Sequence, residues 1–204
     1  MGYSLTSIFF KSIFTNNMVF AYFLGMCSYL AVSKNVRTSF GLGMAVCFVL
    51  IITVPVNYLI NKYLLEPGAL GWLSDKFNNV DLSYLSLIIF IAVIASITQI
   101  LEMIIERFSS SLYNALGIYL PLIAVNCAIL GCSLFMQEYR FPNLAYSTIY
   151  AAGCGIGWML AIVAFAAIRE RLKFSNIPKP LKGLGIAYIT TGLMGMAFMA
   201  LTGM

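Results

Sequence analysis

Six long apolar runs constrain this chain more than any other feature of its sequence. They extend over about Ile8–Val32, Ser39–Ile60, Tyr84–Ile105, Leu112–Met136, Thr148–Ile168 and Leu184–Met204. Each is close to the roughly 20 residues that an α-helix needs to cross a bilayer. Because 61% of the residues are hydrophobic and 9% are charged, too little polar surface is left for a water-soluble fold. We predict an all-α integral membrane protein with six transmembrane helices.

The basic residues are distributed unevenly among the connections between these runs. Eight of the 12 Lys and Arg residues fall in alternate connections: Lys34, Arg37, Arg107, Arg169, Arg171, Lys173, Lys179 and Lys182. Connections rich in Lys and Arg usually stay in the cytoplasm. We therefore predict that these three connections are cytoplasmic and that both termini lie on the other side. This pattern explains the net charge of +5 without a nucleic-acid partner.

The order of short motifs indicates two copies of a three-helix unit within one transmembrane domain, residues 1–204. A glycine pair, Gly41 and Gly43, follows Cys27, and a second pair, Gly155 and Gly157, follows Cys127. The first copy covers about residues 1–106 and the second about residues 107–204. Three crossings leave the chain on the opposite side of the membrane, so the repeats are predicted to be inverted. Such folds place their functional site near the midplane, between the repeats.

Polar and helix-breaking residues interrupt the first and fourth apolar runs. They are Asn16-Asn17 in the first run and Asn114, Gly117 and Pro121 in the fourth. At membrane depth such residues are tolerated where protein satisfies the freed backbone or where they line a cavity. We predict discontinuous first and fourth helices that present Cys27 and Cys127 together. A packed fourth helix that is merely kinked is the alternative.

Cys27 and Cys127 are the candidate metal ligands. The chain has no histidine, which excludes imidazole-ligated haem and zinc sites, and no CxxC pair. Thiolates without imidazole favour an iron-sulfur cluster or copper(I), whereas ordinary packing is the prediction for Cys47, Cys132 and Cys154. A 2Fe-2S cluster takes four thiolates. This chain would supply two of them, and a homologous or identical partner would supply the others.

Several longer motifs resemble those of one family. They are Phe23–Cys27, Val54–Asn57, Gln99–Met103, Val125–Ala128, Gly157–Val163 and Ala167–Glu170. They are similar to the D-type and E-type subunits of the sodium-translocating NADH:quinone oxidoreductase and to the homologous Rnf electron-transport subunits. The resemblance covers nearly the whole chain. Two motifs, Val54–Asn57 and Gly157–Leu160, are more like the E-type subunit than the Rnf version.

The resemblance implies a complex of six subunits in the bacterial inner membrane, with the termini of this chain in the periplasm. The complex would transfer electrons from NADH to ubiquinone and export Na+. By itself, this chain would have no catalytic activity. The D-type subunit, in the opposite orientation, would share a 2Fe-2S cluster with Cys27 and Cys127. FAD, FMN, riboflavin and NADH would bind other subunits. The alternatives are the equivalent subunit of an Rnf-type ferredoxin:NAD complex and a cofactor-free inverted-repeat transporter.

Glu102 and Thr98 form a second candidate site. They lie four residues apart, so they share one face of a helix. A carboxylate in an apolar helix is costly in lipid and often marks an ion pathway. A sodium path is therefore one hypothesis, and an interfacial acid paired with Arg107 is the alternative.

The glycine-rich stretch Gly153–Gly157 lies within the fifth apolar run. A phosphate-binding loop of this kind would follow a strand, and no strand is predicted there. Small residues in a membrane helix favour close packing against a neighbouring helix. We predict that these glycines are packing positions.

Overall fold

The structure is a computed structural model that describes residues 4–65, 85–108, 121–176 and 178–202. In these ranges every regular element is helical, as predicted. The helices are α1 (Leu5–Ile13), α2 (Met26–Val32), α3 (Val36–Ile60), α4 (Ser86–Phe108), α5 (Pro121–Ala124), α6 (Cys127–Tyr139), α7 (Leu144–Leu172) and α8 (Leu184–Thr202). A π-helical turn, Asn61–Leu65, prolongs α3, and a 3-10 turn, Lys179–Leu181, precedes α8.

Four helical segments are long and apolar enough to cross a membrane. They are Val36–Leu65, Ser86–Arg107, Pro121–Tyr139 and Leu144–Leu172. The first and last extend beyond the predicted runs Ser39–Ile60 and Thr148–Ile168 at both ends. The helices are longer than their apolar runs because backbone hydrogen bonding continues into polar turns outside the hydrocarbon layer. An all-α membrane protein is therefore confirmed.

The apolar part of α8 is shorter than the four long segments. It extends over Leu184–Ala200. The predicted limits Tyr84, Leu112 and Met204 lie outside the described residues. The arrangement of six spans as two inverted repeats stays a prediction.

The first apolar run is interrupted, as its sequence predicts. Helix α1 ends at Ile13, and a succession of turns then leads to α2. Asn17 is buried there and its amide nitrogen donates to the carbonyl oxygens of Ile13 at 3.0 Å and Gly157 at 2.9 Å. Its amide oxygen accepts from the backbone N–H of Val19 at 3.0 Å. Asn17 therefore supplies hydrogen bonds that the broken helix no longer makes.

The fourth apolar run is also interrupted. Pro121 lies in α5, and the residues that precede it lie outside the described ranges. The break comes at Asn126, whose side-chain oxygen accepts from the backbone N–H of Ala128 at 3.0 Å and caps α6. The other predicted interruptions, Asn114 and Gly117, lie outside the described residues.

Helix α1 packs against α7 through two glycines. A Cβ atom on Gly153 would lie 2.9 Å from Ser12 Cβ, and one on Gly157 would lie 3.0 Å from the carbonyl oxygen of Ile13. Later residues of α1 face later residues of α7, so the two helices run in the same direction. The close approach confirms the predicted role of the glycines in packing.

Helix α3 packs against another side of α7 in the opposite direction. Gly43 faces Met159, whereas Cys47, one turn later in α3, faces Gly155. A Cβ atom on Gly155 would lie 2.9 Å from the Cα atom of Cys47. Helix α7 is thus the central helix of the described bundle, with α1 and α3 in direct backbone contact with it.

Two of the basic connections meet at one end of the bundle. The guanidinium of Arg169 donates to the carbonyl oxygen of Leu30 at 2.9 Å and to Ser33 Oγ at 2.8 Å. The carboxylate of Glu170 accepts from the backbone N–H of Val36 at 3.0 Å, at the start of α3. We call this the basic end; its basic residues are Lys34, Arg37, Arg169, Arg171 and Lys173. The side of the membrane that it faces stays a prediction.

Candidate functional site

Cys27 and Cys127 lie in the first turns of two helices. Cys27 is the second residue of α2 and Cys127 is the first residue of α6. Both thiols are free and exposed. Both sulfur atoms are therefore accessible from outside the chain.

The turns that carry these cysteines are in contact with each other. Gly25 precedes α2 in the left-handed conformation, with φ 78°. A Cβ atom on Gly25 would lie 2.7 Å from Asn126 Oδ1 and 3.1 Å from Ala128 Cβ. Glycine is required at this position because of both the φ angle and the close approach. The start of α2 is consequently held against the start of α6.

The contact between the two turns lies at mid-depth of the bundle. A Cβ atom on Gly25 would also lie 2.8 Å from Trp158 Nε1. Trp158 is 14 residues from each end of α7, which extends from Leu144 to Leu172. At a rise of 1.5 Å per residue it lies about 21 Å from either end. The cysteine-bearing turns are therefore far from both ends of the bundle.

The two cysteine-bearing helices leave this contact in opposite directions. Helix α2 leads to the basic end, where Arg169 binds the carbonyl oxygen of Leu30. Helix α6 leads to the other end, where Tyr139 contacts Tyr150 near the start of α7 with ring centroids 5.8 Å apart. Helices α2 and α6 therefore begin at the same depth and are antiparallel. Inverted repeats produce this geometry.

Two buried N–H donors beside Gly25 have no hydrogen-bond partner among the residues that the structure describes. They are the side-chain nitrogens of Asn126 and Trp158. An indole nitrogen is a donor only, so it cannot be satisfied by a second donor. A buried donor without an acceptor destabilises the fold. Both nitrogens belong to buried residues, whereas the two thiols are exposed.

The cysteines face outward from the chain. Their neighbours Phe23 and Val125 are 54% and 67% exposed. Phe23 also has a left-handed backbone, with φ 55°, which is uncommon for a residue other than glycine. The described residues contain no group of three or more Cys, His, Asp or Glu side chains suited to a metal. The donor set thus fits half of a four-thiolate site, open on the side where a partner would complete it.

The three remaining cysteines are packing residues, as predicted. Cys132 and Cys154 are almost completely buried, and Cys47 is 9% exposed. The backbone of Cys47 contacts Gly155 of α7. Their burial separates them from the two exposed thiols.

Thr98 and Glu102 lie on α4, which packs against α3, α5 and α6. Thr98 is buried and its hydroxyl donates to the carbonyl oxygens of Ile94 at 2.7 Å and Ala95 at 3.0 Å. Glu102 is partly buried. No ion pair joins Glu102 to Arg107 in the part of the chain that the structure describes. The alternative of an acid paired with Arg107 therefore receives no support from these residues, and the sodium path stays a hypothesis.

Three residues of the site are not predicted as contributors by the sequence motifs: Gly25, Asn126 and Trp158. An asparagine directly before a helix is a recognisable N-cap, so the role of Asn126 has a local signal. Gly25 is one of 16 glycines, and nothing local distinguishes it. Trp158 contacts the site only because α7 passes behind both turns.

Comparison with known proteins supports the family resemblance that the motifs indicate. Residues 5–204 match the family described as "Rnf-Nqr subunit, membrane protein". Among curated relatives, proteins of Rhodopirellula baltica and Psychrobacter cryohalolentis are 55% and 56% identical, each over 97% of this chain and 96% of the relative. A protein of Chlamydia trachomatis is 55% identical over 98% of this chain and 82% of its own length.

All three relatives are named as the E-type subunit of Na(+)-translocating NADH-quinone reductase. The resemblance to the E-type subunit that the motifs indicate is thereby confirmed. The relatives' shared name is that of one component of a larger enzyme rather than of an enzyme complete in one chain. Since the match extends from residue 5 to residue 204, the chain belongs to the Rnf-Nqr family of membrane subunits.

Proposed function

We propose that this chain is the E-type subunit of a Na+-translocating NADH:quinone reductase and that it holds half of an intramembrane 2Fe-2S cluster. The observation that carries the proposal is the contact at Gly25, which brings two outward-facing cysteines to the N-termini of two helices at mid-depth. The names of the relatives support membership of the complex. The complex would transfer electrons from NADH to ubiquinone and export Na+.

The residues around the cysteines have separable roles in this proposal. Gly25 would hold the start of α2 against the start of α6. Asn126 caps α6 through its oxygen, and Cys27 and Cys127 would each bind iron through sulfur. When bound, the cluster would supply one-electron transfer at mid-depth of a hydrocarbon core about 30 Å thick.

A partner of the same family would complete the site. The outward orientation of both thiols supports sharing, because two ligands of one chain leave half of a four-thiolate cluster unsatisfied. The D-type subunit, related to this chain by a pseudo-twofold axis and opposite in orientation, would supply the other two. The opposite directions of α2 and α6 support two inverted three-helix repeats within this chain. FAD, FMN, riboflavin and NADH would bind the remaining members of the six-subunit complex.

The decisive experiment replaces each cysteine in the purified complex. We expect Cys27→Ala and Cys127→Ala each to abolish a 2Fe-2S EPR signal and to lower iron content by about two atoms per complex. Cys154→Ala is the matched control, because it removes a thiol that is buried in packing. Native gels should show that all variants keep their subunits.

Two results would contradict the assignment. One is an unchanged iron content and EPR spectrum in both variants while the complex remains assembled. The other is equal loss of iron from Cys154→Ala, which would indicate general destabilisation. Transport of a solute by this chain alone would instead favour a cofactor-free transporter.

A further inference from the structure

A cavity of about 440 Å³ lies at the end of the bundle opposite the basic end. It is bordered by α1, by the turn between α6 and α7, and by the first part of α7. The residues used below are Lys11, Tyr139, Arg140, Phe141, Tyr146 and Tyr150. The site proposed for the cluster does not include any of them.

Two basic side chains line this cavity without a counter-ion. Lys11 and Arg140 are exposed, and neither makes an ion pair or a side-chain hydrogen bond with any residue that the structure describes. No carboxylate is among the described lining residues. An adjoining cavity of about 210 Å³ shares Arg140 and Phe141 and adds Lys62. The basic side chains that line the two cavities therefore attract an anion.

A buried hydroxyl lies beside the same cavity. Tyr150 is 2% exposed, and its hydroxyl oxygen makes no hydrogen bond among the described residues. That oxygen is covered by protein, and its electrostatic neighbours include the buried thiols of Cys132 and Cys154. Tyr150 therefore contributes to the wall of the cavity, and the two basic side chains are the groups that would bind a ligand.

The backbone of Arg140 has an uncommon conformation. Its φ is 46°, in the left-handed region, at the C-terminus of α6. A residue other than glycine occupies this region at a cost, and such residues recur at ligand clamps. The turn places Arg140 on the wall shared by both cavities.

From these features we infer that the cavity binds the phosphate group of an anionic phospholipid. The phosphate lies between Lys11 and Arg140. The cavity lies where α6 ends and α7 begins, the level at which helices of a membrane protein meet the headgroup layer. Tyr139, Phe141 and Tyr146 provide the aromatic surface typical of that level. Two unpaired cations favour this ligand over a neutral quinone.

The test compares lipid binding by variants of the purified complex. After delipidation in detergent, dioleoylphosphatidylglycerol or dioleoylphosphatidylcholine is added and bound lipid is counted by native mass spectrometry. We expect Arg140→Gln and Lys11→Gln each to weaken phosphatidylglycerol binding about fivefold, as expected for a basic residue near an anionic headgroup. Arg171→Gln, which removes one charge at the basic end, should leave binding at this site unchanged.

Four results would overturn the inference. Equal weakening by Arg171→Gln would show general surface charge rather than a site, and equal binding of phosphatidylcholine would remove the role of the anion. Co-purified quinone that is lost in Arg140→Gln, with unchanged phosphatidylglycerol binding, would identify a neutral ligand. Loss of another subunit from the Arg140→Gln complex with unchanged lipid binding would identify a protein contact.

Discussion

At the scale of single residues, the environment of Gly25 decides how the cysteine turns meet. The left-handed φ of 78° and the space beside Asn126 and Trp158 both exclude a larger side chain. The unpaired nitrogens of these two neighbours then lie at the junction of the turns. One glycine thus links backbone conformation, packing and the chemistry proposed for the thiols.

Replacement of Gly25 by alanine tests this link. We expect Gly25→Ala to destabilise the chain by about 2 kcal/mol or more, since a left-handed alanine and an overpacked contact each cost about 1 kcal/mol or more. Iron content should fall as the turns separate. The matched control is Gly192→Ala, because a Cβ atom at Gly192 would meet nothing within 4 Å. Thermal unfolding and iron analysis of both variants check the prediction, which an iron-replete and equally stable Gly25→Ala complex would contradict.

Glu102 carries the second prediction at this scale. If it lies on the sodium path, Glu102→Gln should raise the Na+ concentration needed for half-maximal quinone reduction by about tenfold, because an intramembrane carboxylate that binds a cation contributes its charge directly. Thr98→Val should have a smaller effect, since the hydroxyl already donates to two carbonyl oxygens of its own helix.

The control for Glu102 is an acid on the same helix. Glu106 lies one turn later and is exposed, so Glu106→Gln removes the same charge outside the predicted path. Steady-state assays over a range of Na+ concentrations distinguish the two. Sodium dependence that is unchanged in Glu102→Gln would exclude this residue from the path.

At the scale of helices, α7 organises the bundle by allowing close approach on two sides. Gly153 and Gly157 face α1, and Gly155 faces α3. Packing between membrane helices depends on van der Waals contact rather than on exclusion of water, so backbone proximity matters more than side-chain apolarity. At the basic end, Arg169 then holds the C-terminal turn of α2 to the same helix.

A single methyl group tests the contact between α3 and α7. We expect Gly155→Ala to destabilise the chain by about 1–3 kcal/mol, because its Cβ atom would lie 2.9 Å from the backbone of Cys47, where neither helix has room to move freely. Gly185→Ala should be neutral or slightly stabilising, because its Cβ atom would make an ordinary contact of 3.9 Å with Leu181. Thermal unfolding of the two variants checks the difference, and equal stabilities would contradict it.

At the scale of the whole molecule, the two ends of the described bundle differ in the residues that they carry. The basic end gathers Lys34 and Arg37 with the charged end of α7, and the other end carries the cavity at Arg140. The cysteine turns lie between them at the middle of α7. A cluster held by these turns, as proposed, would lie about midway between the two ends of α7.

The fold class and several packing roles are predictable because they depend on local properties of the chain. Apolar runs of membrane length must form helices, since only internal hydrogen bonds satisfy the backbone in lipid. The glycines at Gly153–Gly157 and the three buried cysteines follow from their side-chain size within such runs. The break in the first run is predictable from Asn16-Asn17, because an amide side chain can replace missing backbone bonds.

The break in the fourth run is predictable in part. Asn126 directly precedes Cys127 and has the local signal of an N-cap, which is the role that it has in the structure. The effect of a proline depends on where its helix begins. The residues before Pro121 lie outside the described ranges, so its predicted role stays a prediction.

The sequence alone determined that this chain is a helical membrane protein of the Rnf-Nqr type with two cysteines in unusual positions. Only the tertiary structure decided that Gly25 meets Asn126, about 100 residues away, and that Trp158 lies behind both. It also decided that Tyr150 and Arg140 border one cavity. These relations depend on the mutual position of helices, which arises from packing across long separations in the chain and leaves no periodic pattern in the sequence.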